Sequence, residues 1–175
     1  LTDIYQEAAT RAGHEVRRMN IGELSFDPIL HKGYKEIQEL EPGLIKIQED
    51  IKWADHIVIV YPNWWNTMPA ILKGMFDRMY LPGFSFNFDK KTKKLKRLLK
   101  GKSARVIIAS GTWSPFMTRI KYGDFTNEIE HGILRFGGIA PVRITAIGPC
   151  DERKCDVETR QKWQKKIYKL GTRGV

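Results

Sequence analysis

Short apolar runs alternate along this chain with longer segments of helical spacing. Four runs have the length of buried strands and end in turn residues: 16–21, 56–62, 104–111 and 142–148. Five segments repeat apolar residues every three or four positions, as helices do: 3–11, 44–54, 70–80, 127–136 and 157–170. Because near-continuous apolar strands alternate with helices, the pattern predicts an α/β fold with a doubly wound parallel sheet covered on both faces.

The order of elements at the start is unusual for such a sheet. The chain opens with a helix at Thr2 and passes through Gly13 to the run that starts at Val16, with no strand before the helix. In a doubly wound sheet that preceding strand is normally the central one. We therefore expect roughly 10 to 20 further residues upstream, a strand and a short loop. On this interpretation residues 1–175 are a single, N-terminally incomplete domain, and the alternative is an unusual four-stranded sheet.

Composition supports one domain with a hydrophobic core. The chain has 175 residues, of which 42% are apolar. No run approaches the roughly 18 apolar residues of a membrane span, and the start does not resemble a basic-then-apolar leader. Cys150 and Cys155 are too few for a disulfide framework, and no histidine has a second histidine or cysteine at ligand spacing. We expect a cytoplasmic protein without a metal site.

The positive charge is concentrated in one stretch. The net charge is +10, and residues 90–102 hold eight lysines and arginines. One interpretation is a solvated connection whose leucines, Leu95, Leu98 and Leu99, point inward. The other is a patch for cofactor phosphates, nucleic acid or a membrane-bound partner. The stretch lacks the interleaved aromatic residues of single-strand binders, so a nucleic-acid partner is not expected.

The loop after the run at 56–62 has the residues of a ligand wall. Ligands of open α/β sheets bind outside the carboxyl ends of the strands. Here Pro62 and Pro69 enclose the adjacent tryptophans Trp64 and Trp65. A planar heteroaromatic cofactor needs such a flat wall together with backbone donors. The alternative is that the tryptophans cap the core, although adjacent loop residues cannot easily both point inward.

The loop after the run at 104–111 supplies a second candidate wall. Gly111 would let a ligand approach the backbone closely, and Ser110, Thr112 and Ser114 can hydrogen-bond carbonyl groups. Because the two preceding strands are expected to be neighbours, we expect the two loops to form opposite sides of one crevice.

The first loop and the helix after it also resemble a known family. YPNWWNTMPAILKGMFDRMY at 61–80, followed by PGFSF at 82–86, is similar to the P-x-x-W-x-x-x-P-A-x-L-K-G-x-x-[DE]-R signature and G-F-[AS]-[FY] tail of the NAD(P)H:quinone oxidoreductases, the flavodoxin-2 type. Further matches lie at 98–102, 122–124 and 134–138, so the resemblance extends over most of the chain.

The resemblance implies a flavodoxin-like sheet of strand order 2-1-3-4-5, a flavin cofactor and a homodimer. It implies ping-pong hydride transfer from NAD(P)H through the flavin to a quinone or similar small electrophile. The short chain favours FMN, with FAD as the alternative. The residues matched to the flavin site are Thr2, as the tail of the phosphate loop, Pro62, Asn63, Trp64, Trp65 and Asn66 along the ring, and Gly111, Thr112 and Trp113 at its pyrimidine end.

Two positions depart from the family pattern. Where the well-studied reductases have a tyrosine and a histidine that assist the hydride step, this chain has Phe116 and Tyr122. We expect both to contact the substrate and Tyr122 to act as the catalytic hydrogen-bond donor, although tyrosine is a poor proton source at neutral pH.

These departures leave two other classes to consider. One is a flavin-bearing regulatory subunit of a potassium efflux system, with a peripheral membrane-protein partner. The other is a flavodoxin-like electron carrier, which the net charge of +10 argues against because such carriers are normally acidic.

Overall fold

The computed structural model describes residues 1–111, 113–151 and 153–175. Its α-helices are α1 (Thr2–Arg11), α2 (Pro42–Trp53), α3 (Ala70–Met79), α4 (Pro115–Tyr122) and α5 (Val157–Arg173). Its strands are β1 (His56–Asn63), β2 (Phe86–Phe88), β3 (Leu95–Arg97), β4 (Ser103–Ser110) and β5 (Val142–Ile147). A 3-10 turn at Ile21–Glu23 and a π-helix at Glu128–Arg135 complete the regular structure of these residues.

The parallel sheet predicted from the apolar runs is present. Its strand order is β1-β4-β5, and both pairings are parallel. On one face of β4, Val106 and Ile108 join a core with α2, α3 and the π-helix. On the other face, Ile107 packs with side chains of α1 and α5. Both faces are therefore covered by helices, which confirms the doubly wound arrangement.

The strand predicted at 16–21 is wrong. Residues 14–20 have no regular secondary structure and lead into the 3-10 turn. A strand needs ladder partners, but a cleft of about 790 Å³ separates residues 16–20 from residues 57–60 of β1. Within the described ranges, the side of β1 away from β4 pairs with no strand. The strand expected upstream of Leu1 stays a prediction.

Helix α3, which follows the tryptophan loop, is fixed by two close contacts with the connection before α2. A Cβ on Gly74 would lie 2.7 Å from the backbone oxygen of Pro28, so only glycine fits this approach. Arg78, with a side chain only 1% exposed, donates through Nη2 to the backbone oxygen of Glu39 at 2.7 Å and pairs with both carboxylate oxygens of Glu41 at 3.0 Å. Such a buried bidentate pair holds its elements in one geometry.

Three further elements differ from the sequence predictions. An antiparallel hairpin of β2 and β3, each only three residues long, extends from Phe86 into the basic stretch, and the apolar pattern did not indicate it. A solvated connection requires that its leucines point inward. In the structure Leu99 is buried, and Leu95 and Leu98 are partly buried. The apolar pattern indicates no helix at the position of α4, and the helix expected at 127–136 is largely π-helical. No described helix has both the length and the hydropathy needed to cross a bilayer.

Candidate active site

The two candidate loops leave the sheet side by side. β1 and β4 are paired from His56↔Ser103 to Asn63↔Ser110, so both strands end at the same level. At that end, Asn63 Nδ2 donates to Ser110 Oγ at 3.5 Å. The tryptophan loop and the Gly111 turn therefore begin next to each other at the carboxyl edge of the sheet, as the crevice hypothesis requires.

The tryptophan loop is a tight turn that holds its rings in solvent. Trp64 and Thr67 exchange backbone hydrogen bonds, N to O at 3.0 and 3.1 Å. Between them Trp65 and Asn66 adopt left-handed φ values of 54° and 65°, which non-glycine residues seldom populate outside turns. Trp65 is 99% exposed and Trp64 60% exposed. The alternative in which these tryptophans cap the core is therefore wrong.

Two hydrogen bonds fasten this turn to the end of α4 and to the start of the π-helix. Asn66 Nδ2 donates to the backbone oxygen of Tyr122 at 3.0 Å, and Thr67 Oγ1 donates to Glu128 Oε2 at 2.6 Å. The second bond has a charged acceptor and belongs to the stronger class of side-chain bonds. The turn is thus fixed on two sides, so the backbone that carries the exposed rings is restrained.

The Gly111 turn rests on the residues that follow β5. The backbone N–H of Cys150 donates to the oxygens of Ser110 and Gly111 at 2.8 and 2.9 Å. A Cβ on Gly148 would lie 2.8 Å from the oxygen of Ser110 and 3.1 Å from that of Trp113, so glycine is needed for this packing. Above Gly111 itself, no heavy atom lies within 4 Å of a built Cβ. Thr112, also predicted to contact the cofactor, lies outside the described residues.

Two lysines that sequence reasoning missed surround the predicted site residues Trp113 and Tyr122. Lys121 Nζ lies 4.7 Å from the ring centre of Trp113 and 5.4 Å from that of Tyr122. Lys154 Nζ lies 5.4 Å from the ring centre of Trp113. The shared lysine brings Trp113 and Tyr122 to one side of the crevice, and the two ammonium groups make this side attractive to negative charge.

Helix α4 carries the two residues that depart from the family pattern. Ser114 caps it by accepting from the backbone N–H of Met117 at 3.3 Å, and Phe116 in its first turn is 71% exposed. The helix ends at Tyr122, because Gly123 takes a left-handed φ of 86°. Hydrogen bonds from Thr126 hold the pKa of Asp124 below its usual range, so its carboxylate stays charged and closes this turn.

The carboxyl edge of the sheet has the features that a planar heteroaromatic group requires. Among the described residues, the side-chain oxygens of Asn63 and Asn66 are buried without a hydrogen-bond partner. Unpaired buried acceptors are costly, and a ring-edge N–H could satisfy them. Exposed flat rings on one side and open space over Gly111 on the other match the shape of such a group.

Thr2 lies at the first turn of α1, where no side chain caps the helix. The N-terminus of a helix favours an anionic group. Thr2 and Pro62 both line the large cleft. Neither Trp64, Trp65 nor Trp113 is among the residues that line this cleft. The three tryptophans therefore lie outside the cleft.

The cysteines and histidines lie apart from this chemistry. Burial raises the pKa of the Cys150 thiol, so it stays protonated and contributes through its backbone N–H. His56 begins β1, at the opposite end of the sheet from the tryptophans. In the described part of the chain, no three histidine, cysteine or acidic side chains are grouped as metal ligands would be.

Comparisons with known proteins agree with this architecture. The sequence model of a family described as "Flavodoxin-like fold" matches residues 1–169. An uncharacterized NAD(P)H oxidoreductase of Haemophilus influenzae is 30% identical over 94% of this chain and 86% of its own length. An FMN-dependent NADH:quinone oxidoreductase of Bradyrhizobium diazoefficiens is 38% identical, over 55% of this chain and 46% of its own. The chain spans as little as 41% of the length of one curated relative.

A solved structure covers nearly the whole chain. The Streptococcus mutans protein Smu.1420 superposes on 98% of this chain and 91% of its own length with a TM-score of 0.78, at 25% sequence identity. The family match extends from α1 to the greater part of α5, and the Haemophilus relative independently covers almost the same range. The chain therefore belongs to the flavodoxin-like fold family, within which its sequence resembles the quinone oxidoreductases.

Proposed function

We propose that this protein is a flavin-dependent NAD(P)H oxidoreductase that reduces a quinone or a similar electrophile by two electrons. The observation that carries the proposal is the side-by-side emergence of the braced tryptophan turn and the open Gly111 turn from paired strands. A flat ring seated there would have stacking surfaces beside it, and a flavin is such a ring.

The relatives support an enzyme rather than a regulatory subunit. The Haemophilus and Bradyrhizobium proteins are both named as oxidoreductases, and the name of the second specifies FMN and a quinone. This favours FMN over FAD as the cofactor and NAD(P)H as the hydride donor. The proposed potassium-efflux subunit has no comparable support. The cytoplasmic location expected from the sequence stays a prediction.

Each part of the site has a physical task in this proposal. A bound flavin supplies the hydride chemistry by taking two electrons from NAD(P)H and passing them to the acceptor. The residues that would line one side of the ring and its polar edge are Pro62, Asn63, Trp64, Trp65 and Asn66. Those that would hold its other end are Gly111, Thr112 and Trp113. The N-terminus of α1 at Thr2 attracts the phosphate. Lys121 and Lys154 stabilise negative charge beside Trp113.

Tyr122 and Phe116 are proposed to contact the substrate. Phe116 offers an exposed apolar ring on α4, while the Tyr122 hydroxyl is proposed to donate a hydrogen bond to a carbonyl oxygen on which charge develops. The backbone of Tyr122 is already held by Asn66, so the ring is attached to the turn that carries the tryptophans. Stacked geometry, rather than proton transfer from Tyr122, would provide most of the rate.

The exposed apolar surface around the site supports a homodimer. Besides the two turn tryptophans, α4 exposes Phe116, Met117 and Ile120. Apolar patches of this kind on a soluble protein commonly mark an interface. We propose that a second copy of this chain covers the patch and forms a roof over the substrate pocket.

Turnover with bound flavin tests the proposed function. The full-length protein is purified, its visible spectrum is recorded, and NADPH or NADH is added together with a soluble quinone. We expect a yellow protein that oxidises the nicotinamide catalytically. Bound flavin with negligible turnover would favour the regulatory class, and a protein that binds no flavin after reconstitution would contradict both.

Replacing Trp65 by alanine separates ligand binding from folding. The ring is fully exposed, so we expect the free energy of unfolding to change by no more than about 0.5 kcal/mol. Flavin or nicotinamide binding should weaken roughly tenfold, because one aromatic stacking contact is lost. Denaturant unfolding and fluorescence titration measure the two quantities.

Trp53→Ala is the matched control, because Trp53 stacks under the Arg17 guanidinium at 3.9 Å at the other end of β1. It should lower stability and leave flavin affinity unchanged. Comparable loss of stability in Trp65→Ala would mean that Trp65 belongs to the packed structure rather than to the site.

Tyr122→Phe tests the hydroxyl alone. The backbone bond to Asn66 is retained, so flavin affinity should stay within about twofold. Loss of one hydrogen bond in the transition state should lower kcat about tenfold. Tyr168→Phe on α5 is the control and should keep the wild-type kcat. An unchanged kcat in Tyr122→Phe would remove Tyr122 from the catalytic step.

A further inference from the structure

The β2–β3 hairpin, residues 86–97, is a small closed unit at the surface. Its strands pair from Phe86↔Arg97 to Phe88↔Leu95. The connecting loop is closed by hydrogen bonds from Asp89 N to Lys94 O and from Lys93 N to Asp89 O, both at 2.9 Å. Asp89 Oδ1 also accepts from the backbone of Lys91 and Thr92 at 3.0 and 2.7 Å. The loop therefore has a defined shape rather than an open coil.

This hairpin carries many basic side chains and almost no acidic ones. Its sequence holds six basic residues against one carboxylate, a net charge of +5, while the whole chain carries +10. The six are exposed: Lys90, Lys91, Lys93, Lys94, Lys96 and Arg97. Throughout the described residues, none of them takes part in an ion pair. Asp89, the one acidic side chain, is already engaged by the loop backbone.

An exposed aromatic residue adjoins the lysine-rich loop of the hairpin. Alternation along β2 and β3 places Phe86, Phe88, Leu95 and Arg97 on one face of the hairpin and Asn87 and Lys96 on the other. Phe86 is buried and packs edge-on against Phe136 at 4.9 Å, which anchors the base of the hairpin to the core. Phe88, 5.7 Å from Phe86 and nearer the loop, is 54% exposed. The hairpin thus exposes an aromatic ring next to its loop, residues 89–94, which carries four of the lysines.

We propose that this hairpin docks the protein on an anionic lipid surface. Clustered lysines are attracted to acidic headgroups, and an aromatic side chain among them can enter the headgroup boundary. Each basic residue near such a surface contributes roughly fivefold in affinity, so several together give measurable binding. Nucleic acid is the weaker candidate, because single-strand binders stack bases on several exposed aromatic residues and this hairpin exposes one. The proposal does not depend on the reaction that the protein catalyses.

Helix α5 provides a matched control surface. It carries four exposed lysines at helical spacing on one side: Lys162, Lys165, Lys166 and Lys169. Neutralising these four changes the net charge by the same amount as neutralising four lysines of the hairpin. A difference between the two variants therefore reports on position and not on total charge.

Vesicle co-sedimentation with the full-length protein tests the docking. Vesicles of phosphatidylcholine mixed with phosphatidylglycerol are compared with vesicles of phosphatidylcholine alone, at low and at physiological salt. We expect binding only to the mixed vesicles, weakening as salt rises. Substituting Lys90, Lys91, Lys94 and Lys96 by glutamine should weaken it by about a hundredfold or more, whereas the four-glutamine variant of α5 should stay within a few fold.

Phe88→Ser separates insertion from charge. It should weaken vesicle binding several fold while leaving its salt dependence intact, and circular dichroism checks that each variant is folded. Three results would overturn the proposal: binding independent of phosphatidylglycerol, equal losses in the hairpin and α5 variants, or tighter binding to a DNA oligonucleotide than to vesicles of the same phosphate concentration.

Discussion

The parallel pairing of β1 with β4, in the register that ends at Asn63↔Ser110, is the constraint on which the candidate site depends. A slip of one residue would turn every side chain of one strand to the opposite face. Val106 and Ile108 would then leave the core shared with α3, and Arg105 would enter it. The apolar pattern of β4 thus fixes its alignment with β1, and that alignment determines which loops meet at the carboxyl edge.

The tryptophan turn is unfavourable for folding, because it exposes the rings of Trp64 and Trp65 and holds Trp65 and Asn66 at left-handed φ values. Here their support comes from outside the turn, through Asn66 to the Tyr122 carbonyl and through Thr67 to Glu128. Helix α3 begins immediately after the turn and is held by the buried Arg78–Glu41 pair. The molecule therefore braces a strained segment from both ends, which is typical of a preorganised binding surface.

The sequence predicted the parts of the fold that depend on long apolar runs. Strands β1, β4 and β5 have β-branched residues on both faces, and α3 has an apolar face with proline at its start, so pattern and structure agree. The run at 16–21 has the same local character but lies across a cleft from β1, and local propensity cannot form a ladder without a neighbour. At 86–97 the error is the opposite one: two strands form where none was predicted. Each strand is only three residues long, and lysines interrupt the apolar pattern there.

Within the site, the prediction succeeded for residues whose chemistry is unusual in a loop, such as Trp64, Trp65 and Gly111. It missed Lys121, Lys154 and Gly148 because their importance comes from proximity across the fold. Two lysines more than 30 positions apart converge on Trp113, and Gly148 is required by the backbone oxygen of Ser110. No local pattern indicates the two lysine contacts. For Gly148 there was one signal: a Gly-Pro pair directly after a buried strand indicates a turn with a close backbone approach.

The five tryptophans allow one measurement of the central claim. Trp64, Trp65 and Trp113 lie at the candidate site, while Trp53 ends α2 and Trp163 lies within α5. With indole nitrogens labelled by ¹⁵N, the full-length protein is titrated with FMN and the five indole N–H signals are followed by NMR. We predict saturable shifts for Trp64, Trp65 and Trp113 at one common affinity, with Trp53 and Trp163 unchanged. Saturable shifts confined to Trp53 or Trp163, or only one of the two loops responding, would contradict the central claim.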